Sequence, residues 1–228
     1  MGQPAKRIST FSRSCSHWKL RTLRPTNASE AWASLVQGNK NFVAGTPAHP
    51  RQDAELRKSV AKSQEPFAAL FGCSDSRLGA EMIFDVGLGD LFVVRNVGQI
   101  IARTIVGSLE FAVEVLKVPL ILVLGHDSCG AVRASMDSVD GKLQVGGEYI
   151  ENLVERISST VKASRSEGIE DIDLINRNHI SDTIDELLEM STLIRERVES
   201  GKLAVVGAQY RLSEGLVELT TSRGQLES

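Results

Sequence analysis

A chain of 228 residues, 42% hydrophobic and 24% charged, is long enough for one full-sized core with appendages and has the composition of a globular protein. No apolar run approaches the roughly 20 residues needed to cross a bilayer, which excludes a helical span and argues against a membrane partner. The net charge of −3 is unevenly spread. Residues 1–27 hold Lys6, Arg7, Arg13, Lys19, Arg21 and Arg24 with no acid, leaving 20 basic against 29 acidic residues in the remainder, a balance that excludes nucleic acid as an electrostatic partner.

Three cysteines make no disulfide framework, and no secretory apolar segment precedes the domain, so a reducing, cytoplasmic setting with free thiols is expected. The Ser- and Arg-rich stretch 1–27 reads as a disordered tail; its composition also resembles an organelle transit peptide, and targeting stays open. Residues 28–228 then form a single α/β domain. Asn27, with Glu30 three residues later, predicts a helix start. Trp32, Leu35, Val36 and Asn39 share one face of that helix, residues 45–50 break the chain, and 52–61 read as a second, polar helix. Neither helix has the apolar surface to stand alone, so residues 28–63 are an arm expected to pack on the main domain or on a partner subunit.

Strands and helices then alternate. Residues 67–71 are a fully apolar strand, as in a sheet covered on both faces. A short helix at 79–84 leads to a strand at 91–95. Apolar residues at 105, 106, 109, 112, 113 and 116 predict a helix over 104–117, stopped by Pro119. A third strand at 120–124 follows, then helices over 130–138, 147–165 and 178–199, a fourth strand at 202–207 and an edge strand at 216–219. This alternation predicts an open, mainly parallel sheet with right-handed crossovers and strand order 2-1-3-4. The topological switch point falls between strands one and three, where such sheets place their sites at the carboxyl ends.

Those ends carry the chemistry. Residues 71–77, Phe-Gly-Cys-Ser-Asp-Ser-Arg, leave the first strand, and residues 124–130, Leu-Gly-His-Asp-Ser-Cys-Gly, leave the third. Cys73, His126 and Cys129 supply two thiolates and one imidazole, a zinc ligand set with one position open. A closed four-ligand site would need another Cys or His, and Cys15, His17, His49 and His179 occupy no loop that must meet these. Asp75 can accept a hydrogen bond from a water in the open position while Arg77 fixes its carboxylate, or Asp75 can itself become the fourth ligand. Asp127 receives no catalytic role.

The pairing of Cys-Ser-Asp-Ser-Arg with His-x-x-Cys-Gly resembles the β class of carbonic anhydrases, over about Trp32 to about Leu212. The resemblance implies one Zn2+ per subunit, held by Cys73, His126 and Cys129, whose hydroxide attacks carbon dioxide to give bicarbonate. It implies Asp75 and Arg77 as the catalytic dyad that orients the zinc water. It also implies a homodimer or a tetramer of dimers with the cleft at the dimer interface. Gln64 would bind substrate from the partner subunit, Phe92 and Val97 would line the carbon dioxide pocket, and the backbone of Gly130 would face it. Read alone, Phe92 and Val97 are core residues and Gln64 a loop residue. Phe111 stands where some members have tyrosine. Leu70 replaces a tryptophan of the bicarbonate-allosteric subgroup, so the resemblance favours the plant-like, open-site subgroup. Carbonyl sulfide and carbon disulfide hydrolases share the ligand pattern and remain an alternative. A noncatalytic zinc-stabilised binding protein is another, although a structural site has no need of the Asp75–Arg77 pair.

Overall fold

The computed structural model describes residues 24–144 and 146–226. The tail expected over 1–27 therefore lies, for residues 1–23, outside the described residues. Its last residues are tied down: Arg24 pairs with Glu65 at 2.6 Å, and the Thr26 N–H donates to the Glu30 carboxylate at 2.8 Å. Asn27 Oδ1 accepts the Glu30 N–H at 2.8 Å and starts the first helix.

In chain order the elements are α1 (Ala28–Val43), α2 (Ala54–Ser59), β1 (Ala68–Cys73), α3 (Ala80–Ile83), β2 (Leu91–Asn96), α4 (Arg103–Glu114), β3 (Leu120–His126), α5 (Gly130–Val139), α6 (Glu148–Ser166), α7 (Ile172–Met190), α8 (Thr192–Glu199), β4 (Ala204–Tyr210) and β5 (Val217–Arg223). A short 3-10 turn spans Val97–Gln99. No helix among the described residues is long and apolar enough to cross a membrane.

The strands form one sheet in the order β2-β1-β3-β4-β5, parallel throughout except for antiparallel β5. Because successive strand side chains point to opposite faces, the central strands feed two cores. Leu70, Leu120, Leu122, Leu124 and Val206 face one core with α5 and α6. Phe71, Ile121, Val123 and Val205 face the other with α4, α7 and α8. Both faces are covered, which is why these strands are continuous apolar runs. Each fully buried Leu or Ile contributes roughly 1.5–3 kcal/mol of transfer free energy.

Helix α1 packs on its own domain. A Cβ at Gly38 would sit 1.7 Å from the Phe84 carbonyl oxygen, so only glycine permits this approach to α3. Asn39, 3% exposed, donates to the Gly215 carbonyl at 2.7 Å and accepts the Val217 N–H at 2.9 Å, binding α1 to the start of β5. Helix α2 buries no residue against its own chain.

Several boundaries differ from the sequence reading. Helix α4 ends at Glu114, not at the Pro119 stop. The Leu116 and Val118 N–H groups cap the Phe111 and Ala112 carbonyls, with Lys117 left-handed at φ 56°, so hydrogen bonding ends the helix before proline can. The expected helix over 178–199 is two helices. Asp171 caps α7 from 172 onward, and Ser191 breaks the run by accepting the Ile194 N–H at 3.1 Å and opening α8. Strands β1, β3 and β4 run further than their apolar cores, to Cys73, His126 and Tyr210, because their partners continue the ladder. The edge strand likewise extends to Arg223.

Candidate metal centre

Strands β1 and β3 are neighbours with Gly72 opposite Leu124, so their carboxyl ends release two loops side by side. Cys73 is the last residue of β1, His126 the last of β3, and Cys129 stands at the cap position of α5. Ser128, left-handed at φ 52°, tightens the turn that carries Cys129 back toward His126. The two Sγ atoms and a ring nitrogen of His126 lie within 4.8 Å of one another, and all three residues are buried.

The imidazole is oriented from behind. His126 Nδ1 lies 2.9 Å from the Asp127 carbonyl oxygen, which can only accept, so Nδ1 carries the proton. Nε2 is left as a bare lone pair, buried and without a partner among the described residues. Asn176 fixes the same residue's backbone by donating to the His126 carbonyl at 2.9 Å. Asp127 gives its carboxylate to the Leu212 N–H at 2.8 Å.

The two sulfurs shift each other's titration in opposite directions. A hydrogen bond from the Cys129 thiol, then contacts from His126 and the Gly98 amide, bring the Cys73 thiol down to about 4 against the opposing effect of burial. The Cys73 thiolate and burial push the Cys129 thiol far above its ordinary range. Burial resists protonation of His126, but the neighbouring thiolate outweighs it and raises its pKa. A pocket that resists a second thiolate while exposing a bare imidazole nitrogen is suited to a soft divalent cation, which would displace the remaining thiol proton.

Asp75 stands beside this cluster. Its Oδ1 accepts Arg77 Nε at 2.9 Å and Arg77 N–H at 3.0 Å, and its Oδ2 accepts Nη2 at 2.7 Å. The guanidinium holds the Asp75 carboxyl far below the usual carboxylate range. Asp75 Oδ2 is also 3.9 Å from His126 Nε2, which places a fixed negative charge at the edge of the cluster. Arg95 straps the loop from outside, donating to the Cys73 carbonyl at 2.9 Å and the Asp75 carbonyl at 2.7 Å.

The other candidate residues divide by strand end. Val97 follows β2 and is exposed, and Phe92 on β2 stacks with Phe111 at a centroid distance of 6.2 Å. Gly130 opens α5 beside Cys129, with nothing within 4 Å of where a Cβ would stand. Leu70 is buried in the core beneath the sheet. Gln64 is exposed before the amino end of β1, so the strand, about 20 Å long at its usual rise, separates it from Cys73 in the same chain. His49 is exposed and away from the cluster, and His179 is buried on α7. Arg95, Asn176 and Gly98 were missed by the sequence reading. Arg95 ends the strand read at 91–95, but nothing local marks it as a strap. Asn176 sits in an unremarkable helix 50 residues from its partner.

The chain is similar to known proteins along most of its length. The family model described as carbonic anhydrase matches residues 68–217. The chain is 45% identical to carbonic anhydrase 2 of Mycobacterium tuberculosis over 201 residues, covering 88% of this chain and 97% of the relative. It is 30% identical to β carbonic anhydrase 3 of Arabidopsis thaliana, covering 72% and 68%. Among solved structures, the Coccomyxa β-carbonic anhydrase bound to acetazolamide superposes with a TM-score of 0.66 at 24% identity, over 83% of this chain and 87% of that one. A tetrameric β-carbonic anhydrase of Sordaria macrospora gives a TM-score of 0.65 at 24% identity, over 80% and 93%. At that identity the superpositions speak for the fold.

Proposed function

Because the chain belongs to the β-class carbonic anhydrase family, a carbonate dehydratase that reversibly hydrates carbon dioxide to bicarbonate and a proton, we propose that Cys73, His126 and Cys129 hold one zinc ion per subunit and that Asp75 and Arg77 direct the reacting water. The observation that carries this reading is the convergence of two sulfurs on a bare, buried imidazole nitrogen, with a charged carboxylate 3.9 Å away. Zinc in such a site is a Lewis acid that makes water nucleophilic near neutral pH.

The chain's own residues supply the rest. His126 is kept in one tautomer by the Asp127 carbonyl, so its lone pair is available without rotation. Asp75, kept ionised by Arg77, would accept a hydrogen from the reacting water and so direct its oxygen lone pair toward carbon dioxide. Arg77 and the Arg95 strap prevent the carboxylate from swinging, which supports an open site with Asp75 outside the ligand set. Two thiolates offset the formal charge of a dication, and a less positive metal acidifies water less than a three-histidine site does. Activity therefore climbs with pH through the neutral to alkaline range.

Phe92, Val97 and Gly130 form the apolar side of the substrate pocket, and Gln64 enters from a second copy of the chain. Support for this comes from the exposure of Val97 and the placement of Gln64 at the far end of β1. The protein accordingly works as a homodimer or a tetramer of dimers; within the 28–63 arm α1 packs on its own domain, and α2, which buries no residue there, reaches onto the partner. Free, buried Cys73 and Cys129 suit a reducing, cytoplasmic compartment. The test is zinc content together with stopped-flow carbon dioxide hydration: about one zinc per chain with hydration is expected, and hydration by a zinc-free Cys73→Ala protein would overturn the reading.

A further inference from the structure

Resting on that zinc site, we infer that His179 is a positioning residue for the ligand Cys73, acting through the peptide groups of Gly98. The Gly98 N–H points at Cys73 Sγ from 3.4 Å, a hydrogen bond to the sulfur that would become a metal-bound thiolate. On the other side of the same residue, the Gly98 carbonyl accepts from His179 Nε2 at 2.7 Å. A carbonyl cannot donate, so Nε2 carries the proton.

The backbone strain lies just beyond the second bond, at Gln99. Gly98 has φ +72° and Gln99 φ +41°, the latter a conformation that a residue with a Cβ seldom takes. A Cβ at Gly98 would come 2.8 Å from Ile157 Cδ1 and 3.0 Å from Ala131 Cβ, so the turn is wedged against α5 and α6. Asn96 brackets it, donating to the Ile100 carbonyl at 2.7 Å and accepting the Ile100 N–H at 3.0 Å. The Gln99 side chain is fully buried without a polar partner among the described residues, so it contributes no hydrogen bond that would hold the turn. The side-chain donor on the strained Gly98–Gln99 peptide is His179, with Thr183 Oγ1 a longer 3.4 Å from the next carbonyl. Without the His179 bond the peptide relaxes and its preceding amide turns off the sulfur.

An N–H donated to a metal-bound thiolate draws electron density from it and fixes its direction. Outer partners of this kind typically change metal affinity by about 10–100-fold. The effect separates His179 from a residue that only fills the space beneath α7: filling space changes stability, whereas aiming an amide changes the Cys73–metal bond.

Purified full-length protein, loaded with zinc or cobalt(II), is compared as wild type, His179→Gln, His179→Leu and His179→Asn. Gln reaches the Gly98 carbonyl with an N–H, Leu fills the volume without one, and Asn is too short. Zinc affinity is read by chelator competition, and the sulfur by its thiolate-to-cobalt charge-transfer band. Leu and Asn should bind zinc about 10–100-fold more weakly with the band moved to lower energy, and Gln should match wild type in both. A folded Leu or Asn protein that matches wild type in both readouts overturns the inference. So does cadmium-113-loaded wild type with no scalar coupling between the metal and the Gly98 amide proton, a measurement that needs no variant to fold. A wild type that takes up no zinc overturns the metal centre as well, so the two failures are distinguishable.

Discussion

The loop after β3 and the loop after β1 both feed the Cys73–His126–Cys129 cluster, yet they are built in opposite ways. The β3 loop buries its candidate ligands: His126 and Cys129 are at most 1% exposed, and Asn176, Leu212 and the Asp127 carbonyl hold it by hydrogen bonds. The β1 loop is half open. Beyond Cys73 it presents Asp75 at 18% and Arg77 at 51% side-chain exposure, strapped by Arg95 from the surface. A ligand that must be held in one tautomer is worth burying completely. A loop that must meet water and substrate cannot be.

Removing a proposed ligand should erase this difference if both loops serve one metal. His126→Ala or Cys73→Ser is expected to lose zinc and to lower kcat/KM by about 1000-fold or more, checked by metal analysis and stopped flow. The contrast reappears one step outward. Asp75→Asn keeps the shape and loses the charge, so kcat/KM should fall by about 100-fold with zinc content unchanged. If zinc is lost instead, the β1 loop is a holding loop too.

Asn176→Leu addresses the β3 loop. It leaves the His126 carbonyl without its donor, a loss of about 1–3 kcal/mol. Asn176 Oδ1 is itself buried without a partner, so its removal relieves part of that cost and the net effect belongs at the lower end. Thermal denaturation should show Tm lowered by about 2–4 °C per kcal/mol, while kcat/KM of zinc-loaded enzyme changes little. A large activity loss at full zinc occupancy would remove the distinction between the loops.

The pH responses sharpen it further. Arg77 keeps Asp75 ionised across the working range, so a rise of kcat/KM between about pH 6.5 and 9 reports the water and not the carboxylate; a flat profile would contradict the ligand-charge argument. For stability, burial lowers the pKa of His179 below its ordinary value near 6.5. The unfolded chain then takes up the proton first, so this contribution is complete above about pH 6.5 and is lost as pH falls from there through the folded pKa. His179→Gln should lose less stability than wild type over that interval, a small difference visible in urea midpoints.

Much of the architecture was legible because its signals are local. Apolar runs at 67–71 and 120–124 encode strands buried on both faces, Asn27 with Glu30 encodes a helix start, and residues 73–77 and 126–130 carry their chemistry in adjacent positions. Ends were less legible. Ser191 looks like any helix serine until its hydroxyl accepts the Ile194 N–H and donates to Glu110 at 2.6 Å. Pro119 looked like the stop for α4 because nothing in sequence shows that the Val118 N–H would cap Ala112 first.

The sequence by itself determined which side chains could bind a soft cation and which strands would carry them, since identity and period are properties of neighbouring residues. Tertiary structure alone decided that Asn176 grips the His126 carbonyl, that Gly98 aims an amide at Cys73, that His179 holds the Gly98 carbonyl, and that Gln64 lies a strand's length from its own site. These depend on hydrogen bonds between residues 25, 50 and 81 positions apart, and on the direction in which a strand runs. Such contacts exist only after the sheet has brought distant segments together.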